Sequence, residues 1–297
     1  MKNKIKTKLK YGIAFTIIPV IVISLFSFYP MISSLILSFQ TGKGIVTHFG
    51  GLTNYKRILT DPLFLIALKN TLLFLVIQVP IMTILALIFA TLLNNNKLKG
   101  RSFFRVCLFI PCVTSLVACS VLFKSLFSSS GLINTVLMNL HLISSPIDWL
   151  LNGFWAKVVI IIVLTWRWTG YDMIFYLSSM QNIDQSLYEA AELDGASKLR
   201  QFLSITIPLL KPILLLTTIM STNGTLQLFD EVVNLTNGGP NNATLTISKY
   251  IYDLSFKCTP NFPYAATVSY TIVFFVAVLS WIQFRVTREK PVKEVAK

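Results

Sequence analysis

The chain has 297 residues, of which 54% are hydrophobic and 13% are charged. Soluble domains carry about 25% charged residues, so this sequence has too few charges for a surface that faces water. A mean hydropathy of +0.68 and apolar runs of more than 20 residues instead indicate an integral membrane protein. The formal net charge of +14 does not indicate nucleic-acid binding, because the basic residues lie at the ends of the apolar runs.

Long apolar segments follow one another along most of the chain. A helix needs about 20 apolar residues to cross a hydrocarbon core of about 30 Å. Six segments meet this length, namely Gly12–Ser38, Thr71–Leu93, Phe104–Phe127, Trp155–Met180, Leu209–Phe229 and Tyr264–Phe284. The first is too long for a signal peptide and lacks a small-x-small cleavage site, so we expect a retained span. The sequence therefore predicts an all-α, polytopic membrane protein with six transmembrane helices.

The positions of the basic residues predict the orientation of these spans. If the N-terminus is cytoplasmic, the internal segments hold 17 basic residues and the external segments hold 6. Because cytoplasmic loops carry the excess of lysine and arginine, both termini are expected in the cytoplasm. We divide the chain into a basic N-terminus (1–11), a transmembrane domain (12–284) with a cytoplasmic loop at 181–208, and a basic tail (285–297).

No pattern of residues indicates a catalytic or metal site. Cys107, Cys112 and Cys119 lie in one apolar run, and Cys258 stands alone. The two histidines have no cysteine or acidic residue at ligand spacing, so we expect no metal. A phosphate-binding G-x-x-x-x-G-K-[ST] loop and hydrolase motifs are also missing from the sequence, so we expect no enzymatic activity in this chain.

The cytoplasmic loop between the fourth and fifth spans has a local pattern of its own. Ser186 and Glu189 have the spacing of a capping box, which predicts a helix that begins at Ser186. Gly195 is suited to end that helix. Either Asp194 or Ser197 is suited to cap a second helix that leads to the membrane. The loop is therefore expected to form a helix, turn, helix elbow.

The same loop resembles a known signature. It contains Glu189-Ala190-Ala191, then Gly195, then Ile205-Thr206-Ile207-Pro208. This resembles the E-A-A, G, I-x-L-P signature of permease subunits in binding-protein-dependent ABC importers, with isoleucine at position 207 in place of the usual leucine. Further segments are similar to the sugar permeases of maltose, multiple-sugar and glycerol-phosphate importers, namely Trp166-x-Trp168-x-Gly170-Tyr171, Phe229-Asp230, Leu235-Thr236-Asn237-Gly238-Gly239-Pro240, Tyr252 and Tyr264-Ala265-Ala266.

The resemblance implies a MetI-like permease fold and an importer of carbohydrate in the bacterial cell membrane. The implied partners are a cytoplasmic ABC ATPase dimer that binds ATP-Mg, a second sugar permease and an extracytoplasmic solute-binding protein. The residues implied to couple the chain to the ATPase are Glu189, Ala190, Ala191, Leu193, Asp194 and Gly195. The external loop at Gly238, Gly239 and Pro240 is implied to lie on the face that meets the binding protein.

Polar residues within the spans are candidates for a substrate path. Asn223 and Gln227 supply amides in the fifth apolar run, which suits hydroxyl-rich sugars. In the fourth span the candidates are the ring side chains Trp166, Trp168 and Tyr171 and the charged side chains Arg167 and Asp172. These two charges are separated by about 140° around a helix, so they are not expected to face each other. The alternative role of these polar groups is hydrogen bonding between helices.

An ion-coupled secondary transporter acting alone is the competing interpretation. It explains six spans and the intramembrane charges equally well. It leaves the pattern at Glu189 to Pro208 without a role, and the sequence has no repeated halves. We therefore favour the importer permease.

Overall fold

The computed structural model describes residues 12, 15–44, 46–95, 97–257 and 259–287. The N-terminal lysines from Lys2 to Lys10, Cys258 and the basic residues from Arg288 onward lie outside the described residues. The chain divides into two compact units. One comprises the described residues up to Asp61 together with Ile251–Thr271, and the other comprises Pro62–Tyr250 and the residues from Ile272 onward.

Helices account for most of the described chain. In chain order they are α1 (Phe15–Ser38), α2 (Thr53–Ile58), α3 (Pro62–Asn94), α4 (Arg101–Val113), α5 (Leu116–Leu126), α6 (Leu132–Asn139), α7 (Gly153–Met180), α8 (Gln185–Leu193), α9 (Lys198–Leu226), α10 (Asp230–Leu235), α11 (Ile247–Phe256) and α12 (Phe262–Thr287). Two short strands, β1 (Gln40–Lys43) and β2 (Val46–Phe49), follow α1. They pair antiparallel with Gln40 opposite Phe49, a hairpin that the sequence analysis did not predict.

The structure confirms a polytopic helical membrane protein but corrects the third span. Five helices in the described residues are long and apolar enough to cross a membrane, and a sixth span exists if α4 and α5 count as one. The predicted continuous helix at Phe104–Phe127 is instead two helices bent by 100°. Thr114 and Ser115 adopt extended conformations between them. Pro111 removes one backbone donor from the last turn of α4, which weakens the helix just before the bend.

The fifth span is longer than predicted. It was expected to begin at Leu209 after a separate short helix, but α9 runs without a break from Lys198 to Leu226. Pro208 is accommodated because a π-helical turn at Phe202–Thr206 directly precedes it. A proline ring meets the carbonyl four residues earlier, and a widened turn relieves that contact. The second helix of the cytoplasmic elbow is therefore the first part of a membrane span.

The unit that begins at Pro62 is built around α3 and α7. These helices pack along each other, α9 packs against both, and α4 lies against α7. Ala86 and Ala90 are fully buried in a core with Tyr176, and such small side chains allow membrane helices to approach closely. On the outer side of α3, Ile84 and Ile88 are exposed, as expected for side chains that face lipid.

Candidate functional site

A cavity of about 380 Å³ lies between the helices of the larger unit. Its size falls within the range of about 300–1,000 Å³ that is usual for small-molecule sites. From α7 it is lined by Leu164, Arg167, Trp168, Tyr171 and Asp172. These positions follow the spacing i, i+3, i+4, i+7 and i+8, which places them on one face of the helix. From α9 it is lined by Met220, Ser221, Gly224 and Thr225.

Hydrogen bonds between helices organise the polar side of this cavity. Ser221 Oγ donates to Asp172 Oδ2 at 3.3 Å and so connects α9 to α7. Thr225 Oγ1 donates to Gln78 Oε1 at 3.0 Å and connects α9 to α3. The Gln78 amide in turn lies 3.2 Å from the thioether sulfur of Met82, which is a weak acceptor. The polar groups therefore join the helices and line the cavity at the same time.

Arg167 is an intramembrane cation whose donors are largely unfilled. Its Nε and Nη1 atoms are buried and have no hydrogen-bond partner among the described residues. The guanidinium lies 5.5 Å from the centre of the Trp168 ring, a cation–π distance. Nε and Nη1 carry three of the five N–H donors of an arginine. Within the described part of the chain, Nε and Nη1 therefore take part in no ion pair.

Glu231, on α10, adds a buried acid to the same cavity. The residue is 7% exposed, and it lines the cavity beside Asp230. Burial raises the pKa of Glu231, while its own backbone hydrogen bond, the charge of Arg167 and a hydrogen bond from Trp168 act in the opposite direction. The last two effects place the glutamate in the electrostatic environment of Arg167.

The cytoplasmic elbow is the second candidate site. Its first helix, α8, has no buried residue. Asp184 caps this helix, because its side chain accepts a hydrogen bond from Ser186 N at 3.0 Å. The expected start at Ser186 is therefore corrected by one residue, and Ser186 is the donor rather than the cap. Asp184 is the cap because its side chain lies two residues before the Ser186 N–H, the usual spacing between a capping oxygen and the backbone N–H that donates to it.

The turn of the elbow follows the sequence prediction more closely. Gly195 has φ +74°, a left-handed conformation that glycine adopts without a Cβ clash. Of the two proposed caps for the next helix, Ser197 is the one used, since its Oγ accepts from Arg200 N at 3.3 Å. Tyr188 and Thr206 join α8 to α9 through their hydroxyl groups, which are 2.8 Å apart. The elbow is thus tied to the base of the membrane span.

The third candidate site is the loop that follows α10. Gly238 has φ +87°, the peptide bond between Gly239 and Pro240 is cis, and Thr244 Oγ1 donates to the Gly239 carbonyl at 2.7 Å. The Asn70 amide of α3 donates to the Asn242 carbonyl at 3.1 Å and holds the loop to the helices. The segment Gly238–Pro240 therefore forms a turn that is held against α3.

Residues 71–289 match the family model for the binding-protein-dependent transport system inner membrane component. This match covers well over half of the chain. The chain belongs to this family of transport permeases. Its permease fold and the resemblance drawn from the elbow motif are thereby confirmed, and the chain is a multi-pass membrane transport component rather than an enzyme.

Relatives of the permease carry names from sugar transport. The lactose transport system permease protein LacF of Rhizobium radiobacter is 56% identical over 270 residues, which cover 90% of this chain and 91% of LacF. The trehalose/maltose transport system permease protein MalF of Thermococcus litoralis is 35% identical over 289 residues, covering 95% and 96% of the two chains. The permease therefore belongs to the sugar branch of the family.

A solved structure has the same fold at low sequence identity. It is a bacterial ABC transporter involved in the import of the acidic polysaccharide alginate, with a TM-score of 0.83 and 21% identity. The alignment covers 98% of the permease and 100% of that chain. This likeness establishes the fold over nearly the whole permease.

The predicted substrate-path residues fall into two groups. Trp168, Tyr171 and Gln227 line the cavity, as do the two intramembrane charges. Trp166 and Asn223 are not among the lining residues. Trp166 lies off the cavity face of α7 and packs edge to face on Phe123, with 5.2 Å between ring centres. Asn223 likewise lies off the face of α9 that carries Ser221 and Thr225. For these two residues the structure gives no support to the predicted role.

Several polar residues that line the cavity were not among the predicted path residues, namely Gln78, Ser221, Thr225, Asp230 and Glu231. Gln78 is a buried amide in the long apolar helix α3. Glu231 directly follows Phe229-Asp230, a pair that the sequence analysis quoted only for its similarity to sugar permeases. A single amide within an apolar run is itself a signal, since a polar group in lipid needs a partner or a wet cavity. Their neighbours on other helices are long-range in sequence and were not predictable from spacing.

Proposed function

We propose that the permease imports a carbohydrate through this cavity as part of an ATP-driven assembly. The names of its sugar-branch relatives support this substrate class. The cavity chemistry supports it too, because amide, hydroxyl and carboxylate groups alternate with aromatic rings. Sugars need many donors and acceptors together with flat apolar surfaces, and the cavity offers both.

The observation that carries the proposal is the continuity of α9. This helix begins in the elbow at Lys198 and reaches the cavity at Ser221 without interruption. At about 1.5 Å per residue, the helix spans about 35 Å between these points. A displacement of the elbow is therefore passed along one continuous helix to the cavity wall.

We infer that the elbow docks on a cytoplasmic ATPase subunit that binds ATP-Mg. The docking residues in this proposal are Glu189, Ala190, Ala191, Leu193, Asp194 and Gly195. Leu193 is 90% exposed, and an apolar side chain left so open on a short helix suits burial against a partner. The two alanines give such a partner close access to the α8 backbone.

A second permease subunit completes the translocation path in this proposal. When ATP closes the ATPase pair, the two docked elbows move together and the spans rock between inward-open and outward-open states. A solute-binding protein delivers the sugar on the opposite face, beside the turn at Gly238, Gly239 and Pro240. The excess of basic residues in the internal loops supports cytoplasmic termini and insertion in the cell membrane.

Reconstitution tests this function directly. The permease, its partner permease and the ATPase are placed in proteoliposomes with ATP and the binding protein but with no ion gradient. Lactose is the first probe, because a 56% identical relative carries its name. ATP-dependent uptake is expected. Uptake driven by a proton or sodium gradient with this chain alone would instead support a secondary transporter.

Reversal of one charge tests the docking surface. Glu189→Lys is expected to abolish ATP-dependent uptake and to weaken association of the ATPase, which can be measured by co-purification. Glu192→Lys is the matched control. Glu192 already contacts Lys198 of the same chain at 3.4 Å, so its reversal should have a smaller effect on docking. Unchanged association in the Glu189 variant would show that the elbow is not the docking site.

A further inference from the structure

Arg167 and Glu231 offer opposite hydrogen-bonding capacity to the same cavity. Both residues line it. The guanidinium of Arg167 only donates hydrogen bonds, whereas a carboxylate such as that of Glu231 only accepts them. The Trp168 ring also lines the cavity and lies beside the guanidinium. The three side chains therefore combine charged donors, a charged acceptor and an aromatic face.

The lining of the cavity has an unequal balance of charge. Among its residues are one base, Arg167, and three acids, Asp172, Asp230 and Glu231. Their formal sum is negative. Electrostatic interactions strengthen where water is excluded, so an additional carboxylate on a ligand would be repelled here more strongly than in water. A neutral ligand avoids that repulsion.

We propose that the cavity selects neutral sugars over acidic ones, with Arg167 and Glu231 as the specificity-determining pair. This inference rests on the proposed carbohydrate transport. Neighbouring hydroxyls of a sugar each act as donor and acceptor. One hydroxyl can accept from the guanidinium while the next donates to the carboxylate, and both hydrogen bonds are charge-assisted. An acidic sugar satisfies the arginine but faces three acidic side chains.

The structurally similar transporter involved in alginate import offers a comparison between neutral and acidic ligands. That transporter handles an acidic polysaccharide, and its 21% identity to this chain carries no information about substrate. If the charges of the cavity decide the substrate class, the two proteins use one fold for a neutral and for an acidic ligand.

Three related probes test the selectivity. Lactose is neutral, lactitol is its neutral ring-opened analogue, and lactobionate has the same open chain with one carboxylate. Binding is measured on the purified permease–ATPase complex without the binding protein, by calorimetric titration, so that selection by the binding protein does not contribute. We expect lactose and lactitol to bind at least about tenfold more tightly than lactobionate, because the acidic lining repels the carboxylate of lactobionate.

Conservative variants assign the effect to the pair. Glu231→Gln keeps the shape of the side chain and should weaken lactose about tenfold while narrowing the gap to lactobionate. Arg167→Lys keeps the charge but loses the forked donors, and should weaken all three probes. Asp148→Asn removes an exposed acid outside the cavity and should change none of these values. Should one variant fail to fold, the other still tests its own member of the pair.

The outcomes separate this inference from the proposed function. Equal binding of lactobionate and lactitol by the wild-type complex would overturn the inference, as would variants with unchanged affinities. In both cases ATP-driven lactose uptake, after the same complex is placed in proteoliposomes with the binding protein, would leave the proposed function intact. If the wild-type complex neither binds nor transports any neutral sugar, the proposed function itself is wrong and the inference falls with it.

Discussion

Gly170 shows how a single residue fixes the approach of two membrane helices. A Cβ atom built on it would lie 1.8 Å from the carbonyl oxygen of Leu108, which belongs to the backbone of α4. No side-chain rotation can relieve a contact with backbone. Because Gly170 has no side chain, the backbone of α4 can pack directly against α7 at this position. The contact lies between the cavity residues Trp168 and Tyr171 of α7.

Gly170→Ala is therefore expected to destabilise the permease by about 1–3 kcal/mol or more, the usual effect of overpacking. Thermal unfolding of the purified protein measures the loss. Gly224→Ala is the matched control for folding, because a Cβ at that helical position meets nothing within 4 Å. It should leave stability unchanged or raise it by up to about 1 kcal/mol, the preference of helices for alanine. Equal unfolding temperatures in the two variants would contradict the close approach.

The cavity illustrates which residues a sequence can indicate and which it cannot. Helical spacing alone places Arg167, Trp168 and Tyr171 on one face of α7. Their joint presence in the cavity could therefore be predicted from the sequence. Whether Asn223 or Thr225 faces the cavity depends on the rotation of α9 against α3 and α7. That rotation follows from packing with residues far away in the chain, which no local pattern contains.

At the scale of elements, short-range rules predicted the elbow to within one residue. Gly195 and Ser197 perform the roles assigned to them, because both depend only on backbone conformation and near neighbours. The capping box failed at Ser186 because Asp184 is an equally suitable cap two positions earlier. The bend between α4 and α5 was missed for a different reason: a run of apolar residues does not reveal whether its helix is continuous.

The cap of α8 gives a prediction about the elbow. Asp184→Ala should loosen the helix, whereas Asp184→Asn should preserve it, because an asparagine oxygen also accepts from Ser186 N. Hydrogen exchange of the amides in residues 184–195, followed by mass spectrometry, measures the opening of the helix. Ser186→Ala should exchange like the wild type. Faster exchange in that variant than in Asp184→Ala would restore Ser186 as the cap.

The same cap predicts a dependence on pH. The hydrogen bond from Ser186 N lowers the pKa of Asp184. Since the carboxylate is the stabilised form, the cap contributes above the unfolded pKa and its contribution is lost as the pH falls through the folded pKa. Exchange at the elbow should therefore depend on the cap at neutral pH and lose that dependence in acid. Asp184→Asn, which does not titrate, should show no such transition.

At the scale of the whole molecule, the proposed function depends on α9 acting as one continuous element from elbow to cavity. Leu215 and Leu216 lie on this helix between the elbow and the cavity residues. Glycine at both positions adds backbone freedom at a cost of about 1 kcal/mol each, without altering the docking residues. The double variant should still bind the ATPase and hydrolyse ATP, but the sugar transported per ATP should fall severalfold.

Ile84→Gly with Ile88→Gly is the matched control, because those outward-facing residues lie on α3, which is not continuous with the elbow. Parallel measurements of uptake and ATP hydrolysis in proteoliposomes give the ratio. The same loss of coupling in both double variants would show that general helix flexibility, and not the continuity of α9, limits transport.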